Sequence, residues 1–273
     1  MTEKIPLGCF GNKKRECKKY FLDIIKNNID DDCIFVEPFC GSASVSYLVY
    51  NNTNIKKFHI NDLDKLRIDF YNNMKDEDKR NELYKIENDI SEKGQEEYYK
   101  YVDKTKLKTD YWSYIIGNRI YGFMNGLFPT TKKIIIKPIP DKWIELFNIS
   151  KITNQDWKEI MEQYKDNEKA FIYLDPPYLN SFNGKYTQYN LTADENNIII
   201  DNTKIYIDIL DYLENSKCKI ILSINSNSIT RHIYKDYIKV DYSSFYSKKQ
   251  IKKVNENKAF TKNRENILLI SNF

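Results

Sequence analysis

Two hydrophobic rhythms alternate along the chain. Residues 33–37, Cys-Ile-Phe-Val-Glu, form a short apolar run that closes on an acid. Pro38-Phe39-Cys40-Gly41-Ser42-Ala43 follows, and then Val45, Leu48 and Val49 fall at helical spacing. The order read from this is strand, tight turn, helix. A second strand over 57–60 ends in Asn61-Asp62, and an amphipathic helix is predicted over 63–74. Together these pieces make a βαβ opening with an acid closing its second strand.

From 75 to about 108 the pattern turns charged and helical, with little apparent capacity to form a core, and reads as a peripheral insertion. Residues 111–128 are dense in aromatics and predicted helical. Residues 129–143 alternate Lys with Ile, carry Pro138 and Pro140, and read as an exposed extended segment or hairpin. The α/β pattern resumes over 152–164, followed by a buried strand over 170–174 that ends in Asp175-Pro176-Pro177-Tyr178. After a long loop come a helix over 198–215, a strand over 218–224 ending at Asn225, and a last strand over 266–270.

A chain of 273 residues, 41% hydrophobic and 14% aromatic, can bury a core as one large domain or two small ones. No run approaches the roughly 18 apolar residues of a membrane span, and residues 1–14 lack the apolar stretch of a signal peptide. The expectation is a soluble protein without a membrane partner, intracellular and cytoplasmic in a bacterial or virus-infected cell. Cys9, Cys17, Cys33, Cys40 and Cys218 form no CxxC pair, and His59 and His232 are the only histidines. No metal site is expected, and the thiols read as small buried hydrophobes.

The net charge of +4 is the small difference between 43 basic and 39 acidic residues, so distribution says more than the total. Residues 13–19, 132–142 and 248–264 are basic stretches, the last with seven Lys or Arg against Glu256. Singly, each could be a solvated face; together they favour a polyanion as partner.

Two places carry chemistry. The small-residue turn of residues 37–44 lets backbone approach a cofactor, with Asp62 downstream at a distance suited to ribose hydroxyls. GxGxxG is incomplete there, and an ordinary βα turn with a structural Gly41 would look the same. Asp175-Pro176-Pro177-Tyr178 stands at the carboxyl end of a buried strand, where open α/β sheets place ligands. An exocyclic amino group on adenine or cytosine is a poor nucleophile because its lone pair is delocalised. A carboxylate and a backbone carbonyl that accept its two hydrogens free that lone pair for attack on a sulfonium methyl. Prolines stiffen such a loop and leave only acceptors in it, and Tyr178 offers a face for a base rotated out of its duplex. A nicotinamide dehydrogenase, which the βαβ opening alone would allow, has no task for these four residues.

With these residues the chain resembles the D12-class, Dam-like N6-adenine-specific DNA methyltransferases, in collinear order over nearly its whole length. Phe10-Gly11-Asn12-Lys13 is similar to the family's N-terminal motif, and Glu37 to Ser44 to its EPFxGxGS cofactor loop, with Ala43 where a second Gly is common. Asp62 occupies the place of the ribose acid. Asn118-Arg119 and Asn125-Gly126 resemble the NR…NG segment leading into the recognition hairpin, and Asp156-Trp157 the D-[FW] pair flanking the cofactor adenine. Tyr186 and Tyr189 stand in the YxxY-like region, and Ser223-Ile224-Asn225 and residues 264–268 resemble closing segments. Residues 128–133 are shorter than the usual base-reading hairpin, and the Ser/Gly-containing turn is not visible in 247–262, so GATC recognition does not follow.

The resemblance implies an α/β, Rossmann-like methyltransferase fold dependent on S-adenosylmethionine (SAM). Its mostly parallel, doubly wound sheet of seven strands would lie in residues 1–74 and 149–273, with a helical target-recognition insert at 75–148. The implied reaction is site-specific methyl transfer from SAM to N6 of a flipped-out adenine in duplex DNA. Asp175, Pro176, Pro177 and Tyr178 would be catalytic. Phe10, Gly11, Lys13, Glu37, Pro38, Phe39, Gly41, Ser42, Asp62, Asp156, Trp157 and Tyr186 would hold the cofactor. Arg119, Asn125, Lys132, Lys133, Lys248 and Lys249 would contact DNA, and a cognate restriction endonuclease is a candidate partner. Methylation of RNA adenine N6 or cytosine N4, and a catalytically silent SAM- or nucleic-acid-binding homologue, stay open as alternatives.

Overall fold

A computed structural model describes residues 5–8, 12–121, 127–128, 138–178, 203–246 and 263–273. Contacts divide the chain into two compact units, Met1–Tyr164 and Lys165–Phe273.

In the first unit α1 (Lys14–Glu16) runs through a π-helical turn, Cys17–Phe21, into α2 (Leu22–Lys26), burying Cys17, Phe21, Leu22 and Ile25. β1 (Ile34–Glu37), α3 (Ser44–Asn52), β2 (Lys57–Asn61) and α4 (Lys65–Asn73) form the expected βαβ opening. Helices α5 (Glu77–Lys93), α6 (Gln95–Tyr101), α7 (Tyr111–Ile116, with the π-helical turn Gly117–Tyr121) and α8 (Asp141–Ile149) follow, then β3 (Ser150–Thr153) and α9 (Trp157–Tyr164). The strands are parallel in the order β3-β2-β1, with Phe35 opposite Phe58 and Phe58 opposite Ser150. Their carboxyl ends, Glu37, Asn61 and Thr153, therefore share one edge.

Local chemistry sets the helix starts. The side chains of Asp64, Asp76 and Asp110 accept backbone N–H groups of Arg67, Asp78 and Ser113 at the heads of α4, α5 and α7. Gly94, at φ 77°, closes α5 in a conformation other residues avoid.

Two sequence expectations are corrected in this unit. Residues 75–108 do contribute a core: Leu83, Ile86, Ile90, Tyr98 and Val102 are buried. Leu83, Ile86 and Ile90 form a narrow helical stripe that the surrounding charge conceals. Residues 129–137 lie outside the described residues, but Asp141, Lys142 and Trp143 are not extended. They open α8, and the fully buried Trp143 stacks on Tyr47 at 4.0 Å. The described helices of 75–148 fall within the first unit.

In the second unit β4 (Ala170–Leu174), α10 (Thr203–Asn215), β5 (Lys219–Asn225), α11 (Ser228–Ile233), β6 (Ile238–Tyr246) and β7 (Asn263–Ser271) follow in order. The strand order is β4-β5-β7-β6; β4 and β5 are parallel, and β7 runs against both neighbours. β4 is buried at every position, as its unbroken apolar run requires. β6 has no counterpart in the sequence reading: Lys, Asp and Ser interrupt its apolar residues, and a register shift between Ile238 and Val240 disturbs its alternation.

Candidate active site

In the first unit the turn after β1 is built around the carboxyl ends of β1 and β2. Glu37, buried, accepts the backbone N–H of Ser46 at 3.0 Å and also its hydroxyl, anchoring the first turn of α3. Gly41 adopts φ 47° and Ala43 φ 52°, both left-handed, a conformation that glycine reaches at least cost. The Gly41 N–H donates to Asp62 Oδ2 at 2.7 Å, and its carbonyl accepts from the Tyr71 hydroxyl at 2.7 Å and from Arg67 at 3.3 Å. Pro38 and Ser42 are buried, and Phe39 is half-buried with its ring 5.6 Å from Trp157.

Asp62 receives a second backbone donor, Asp64 N–H, at 2.9 Å on Oδ1. Burial raises its carboxyl above the ordinary range, opposed chiefly by the Arg67 charge. The Cys40 thiol also donates to Oδ2, at 3.9 Å, so of the roughly four lone-pair sites of the carboxylate one remains to accept a hydroxyl. Asp156 is exposed, and its Oδ1 accepts the Lys158 N–H at 2.8 Å at the head of α9, setting Trp157 beside Phe39. Lys13, only 3% exposed, immediately precedes α1. Lys13, residues 37–42, Asp62, Asp156 and Trp157 thus all belong to this unit.

Beneath this turn lies a polar chain that sequence reasoning missed. Asn61 Nδ2 donates to the carbonyls of Pro38 and Gln155, both at 3.0 Å, while Oδ1 accepts from Gln155 N–H at 2.9 Å and the Thr153 hydroxyl at 2.8 Å. The single Thr153 proton is committed to Asn61, so Thr153 accepts from His59 Nε2 at 2.7 Å. His59 Nδ1 then accepts from the Tyr164 hydroxyl at 3.0 Å. Burial lowers the His59 pKa to about 4. Arg67 was missed too. It is buried on α4, and its guanidinium meets the Gly8 and Gly41 carbonyls and the Tyr114 hydroxyl. The only sequence signal was an arginine on the inward stripe of the helix with Ile68 and Tyr71.

Arg119 is placed differently from a phosphate contact. Its side chain is 4% exposed and forks onto Glu87 at 2.7 and 2.9 Å, and Nη1 donates to the Pro6 carbonyl at 2.8 Å. Its neighbour Asn118 pairs with both the N–H and the carbonyl of Gly8, at 3.0 and 3.1 Å. The Asn118-Arg119 pair therefore grips the segment that leads to Lys13.

In the second unit Asp175 and Tyr178 are half-buried, Pro176 is buried and Pro177 exposed, directly after β4. The Tyr206 hydroxyl, on α10, donates to the Pro177 carbonyl at 2.9 Å, and Tyr234 in turn donates to the Tyr206 carbonyl at 2.7 Å. Both tyrosines are fully buried, and burial pushes the Tyr234 hydroxyl far above its ordinary range. Neither was singled out by sequence, because a tyrosine on a helical apolar face looks like core. The described cysteines, Cys17, Cys33, Cys40 and Cys218, are all buried. Phe10, Gly11, Asn125, Lys132, Lys133, Tyr186, Tyr189, Lys248 and Lys249 lie outside the described residues.

Among the described residues no helix is long and apolar enough to cross a membrane. No curated protein matches the chain. The model of the D12 class N6 adenine-specific DNA methyltransferase family matches residues 11–125 and 121–260, and the mixed α/β architecture with mostly parallel strands fits a methyltransferase fold. The chain belongs to the D12 class of N6 adenine-specific DNA methyltransferases, a family of enzymes that act on DNA.

Proposed function

We propose that the chain transfers a methyl group from S-adenosylmethionine to N6 of an adenine rotated out of duplex DNA. The observation that carries this reading is the Asp175 to Tyr178 segment, which directly follows the buried strand β4 and has its Pro177 carbonyl held by Tyr206. Asp175 and the Pro176 carbonyl accept the two amino hydrogens and direct the nitrogen lone pair. Tyr178 stacks on the displaced base. Two prolines limit the motion of these acceptors, so little reorganisation is left for the moment of reaction.

The first unit fits the methyl donor. Phe39 and Trp157 provide aromatic surface for an adenine, Asp62 keeps acceptor capacity for ribose hydroxyls, and the left-handed turn at Gly41 carries no side chain to obstruct close approach. Glu37, Lys13 and Asp156 supply charge for the amino-acid and adenine ends. When bound, the donor would supply an electrophilic sulfonium methyl whose bonding electrons would stay on sulfur as N6 gains the methyl, and Asp175 would pass the displaced N6 proton to solvent. Residues 75–148 are proposed to carry target recognition, and Lys132, Lys133, Lys248 and Lys249 to meet phosphates, which makes binding steeply salt-dependent.

The test is single-molecule sequencing of modified bases in DNA from a methylation-free host that expresses the chain, beside the same host expressing Asp175→Ala. A sequence-specific N6-methyladenine signal confined to the intact chain is expected. Unmodified DNA in both hosts, with methyl transfer to RNA in vitro, would overturn the duplex-DNA reading.

A further inference from the structure

Side chains on a strand alternate between faces, so Ile221, Ser223 and Asn225 share one face of β5. Parallel pairing sets Ile221 opposite Tyr173. The face they share is the one that Asp175 continues, two residues beyond Tyr173, at the carboxyl end of β4.

Ser223 is fully buried and Asn225 is 9% exposed, yet Ser223 Oγ and Asn225 Oδ1 have no hydrogen-bond partner among the described residues. The backbone around them is well supplied. The Asn225 carbonyl accepts the Thr230 hydroxyl at 2.9 Å, the Ser226 N–H donates to the Asn266 carbonyl at 2.7 Å, and Asn227 with Thr230 forms a reciprocal cap on α11. The strand end is thus fixed while Ser223 Oγ and Asn225 Oδ1 find no partner among the described residues. Each loses its hydration with nothing among the described residues to replace it. Two such groups within three residues, on the face that Asp175 continues, point to hydrogen bonds completed by a ligand.

We propose that Ser223 and Asn225 form the polar wall of the target-base pocket and hydrogen-bond the ring edge of the base being methylated. This rests on the methyl-transfer reading above and extends it from the amino group to the ring. With the amino hydrogens assigned to Asp175 and the Pro176 carbonyl, adenine has left to offer only ring-nitrogen acceptors. A serine hydroxyl is a donor for these. So is an asparagine amide, which exchanges Oδ1 for Nδ2 by a half-turn.

The experiment uses the full chain with DNA from a methylation-free host and radiolabelled SAM. Ser223→Ala and Asn225→Leu are compared with the wild type in kcat/KM for methyl transfer, Kd for SAM and Tm. Asn225→Leu is expected to lose about 10–100-fold in kcat/KM and Ser223→Ala about 3–10-fold, as for buried hydrogen bonds to a substrate. SAM affinity should stay within about twofold and Tm should hold or rise, because an unpaired buried polar group has been removed. Transfer by both variants at the wild-type rate would overturn the inference alone. So would losses that track lower Tm and weaker SAM binding, which mark a structural role. A wild-type chain that methylates no DNA would instead overturn the methyl-transfer reading, and this inference with it.

Discussion

The Asp62 carboxylate accepts the Gly41 N–H at 2.7 Å, joining the end of β2 to the turn after β1. The same side chain fixes the turn and is the one proposed to receive ribose hydroxyls of the methyl donor. In Asp62→Asn one oxygen remains to serve two backbone donors, Gly41 N–H and Asp64 N–H, and the amide nitrogen faces a donor. SAM affinity should fall about 10–100-fold through loss of charge-assisted acceptors. Relief of carboxylate burial keeps the change in folding stability small by comparison. Calorimetric titration with SAM checks this, and an unchanged Kd would remove Asp62 from the donor site.

The Tyr206 hydroxyl donates to the Pro177 carbonyl, within the segment proposed to be catalytic. Tyr206→Phe keeps the ring and deletes the donor. The carbonyl can then rotate, and the adjacent acceptors lose their aim. We expect kcat to drop about tenfold, SAM Kd to move less than about twofold, and stability to fall by ~1 kcal/mol. A drop confined to Tm, with kcat intact, would make Tyr206 ordinary core.

The outline of both units was legible because their strands carry unbroken apolar runs: 33–37 and 170–174 stand out in any window, and the turns after them hold the residues proposed for the chemistry. What the sequence hid follows from the same physics. β6 mixes polar and apolar residues around an irregular register and gives no clean period. The stripe of α5 is only one residue wide per turn, so charge masks it. The sequence shows Ala43 only as a replacement for a common second Gly, and the backbone reveals that it occupies a left-handed position. The chain from Tyr164 through His59 and Thr153 to Asn61 joins residues about a hundred positions apart, and no local pattern encodes such a contact.

His59 makes acid stability predictable in sign. Its folded pKa is about 4, below the ordinary 6.5, so between these values the unfolded chain binds a proton that the folded one refuses. Stability is complete above about pH 6.5 and declines as pH falls towards 4, by on the order of 3 kcal/mol from this group. Urea unfolding at pH 4.5, 5.5, 6.5 and 7.5 should show that slope, and His59→Gln should be less stable at pH 7.5 but flatter across the window. Parallel curves for the two proteins would mean that His59 is protonated without penalty.

Arg119 offers the sharpest contrast between a residue expected at DNA and the one the fold displays. Its fork onto Glu87 is nearly closed to solvent on both sides, and a third bond ties it to Pro6. Removing either charge leaves the other buried, which costs about 3–5 kcal/mol, whereas a double substitution leaves no orphan. Glu87→Ala and Arg119→Ala should each lower the urea midpoint strongly, and the double variant should lose clearly less than their sum. A phosphate contact behaves otherwise. Arg119→Ala would then reduce the dependence of DNA affinity on salt by about one ion, and Glu87→Ala would not. Because Asn118 and Arg119 grip residues 6–8, we expect both single variants to weaken SAM binding while the salt slope for DNA stays unchanged.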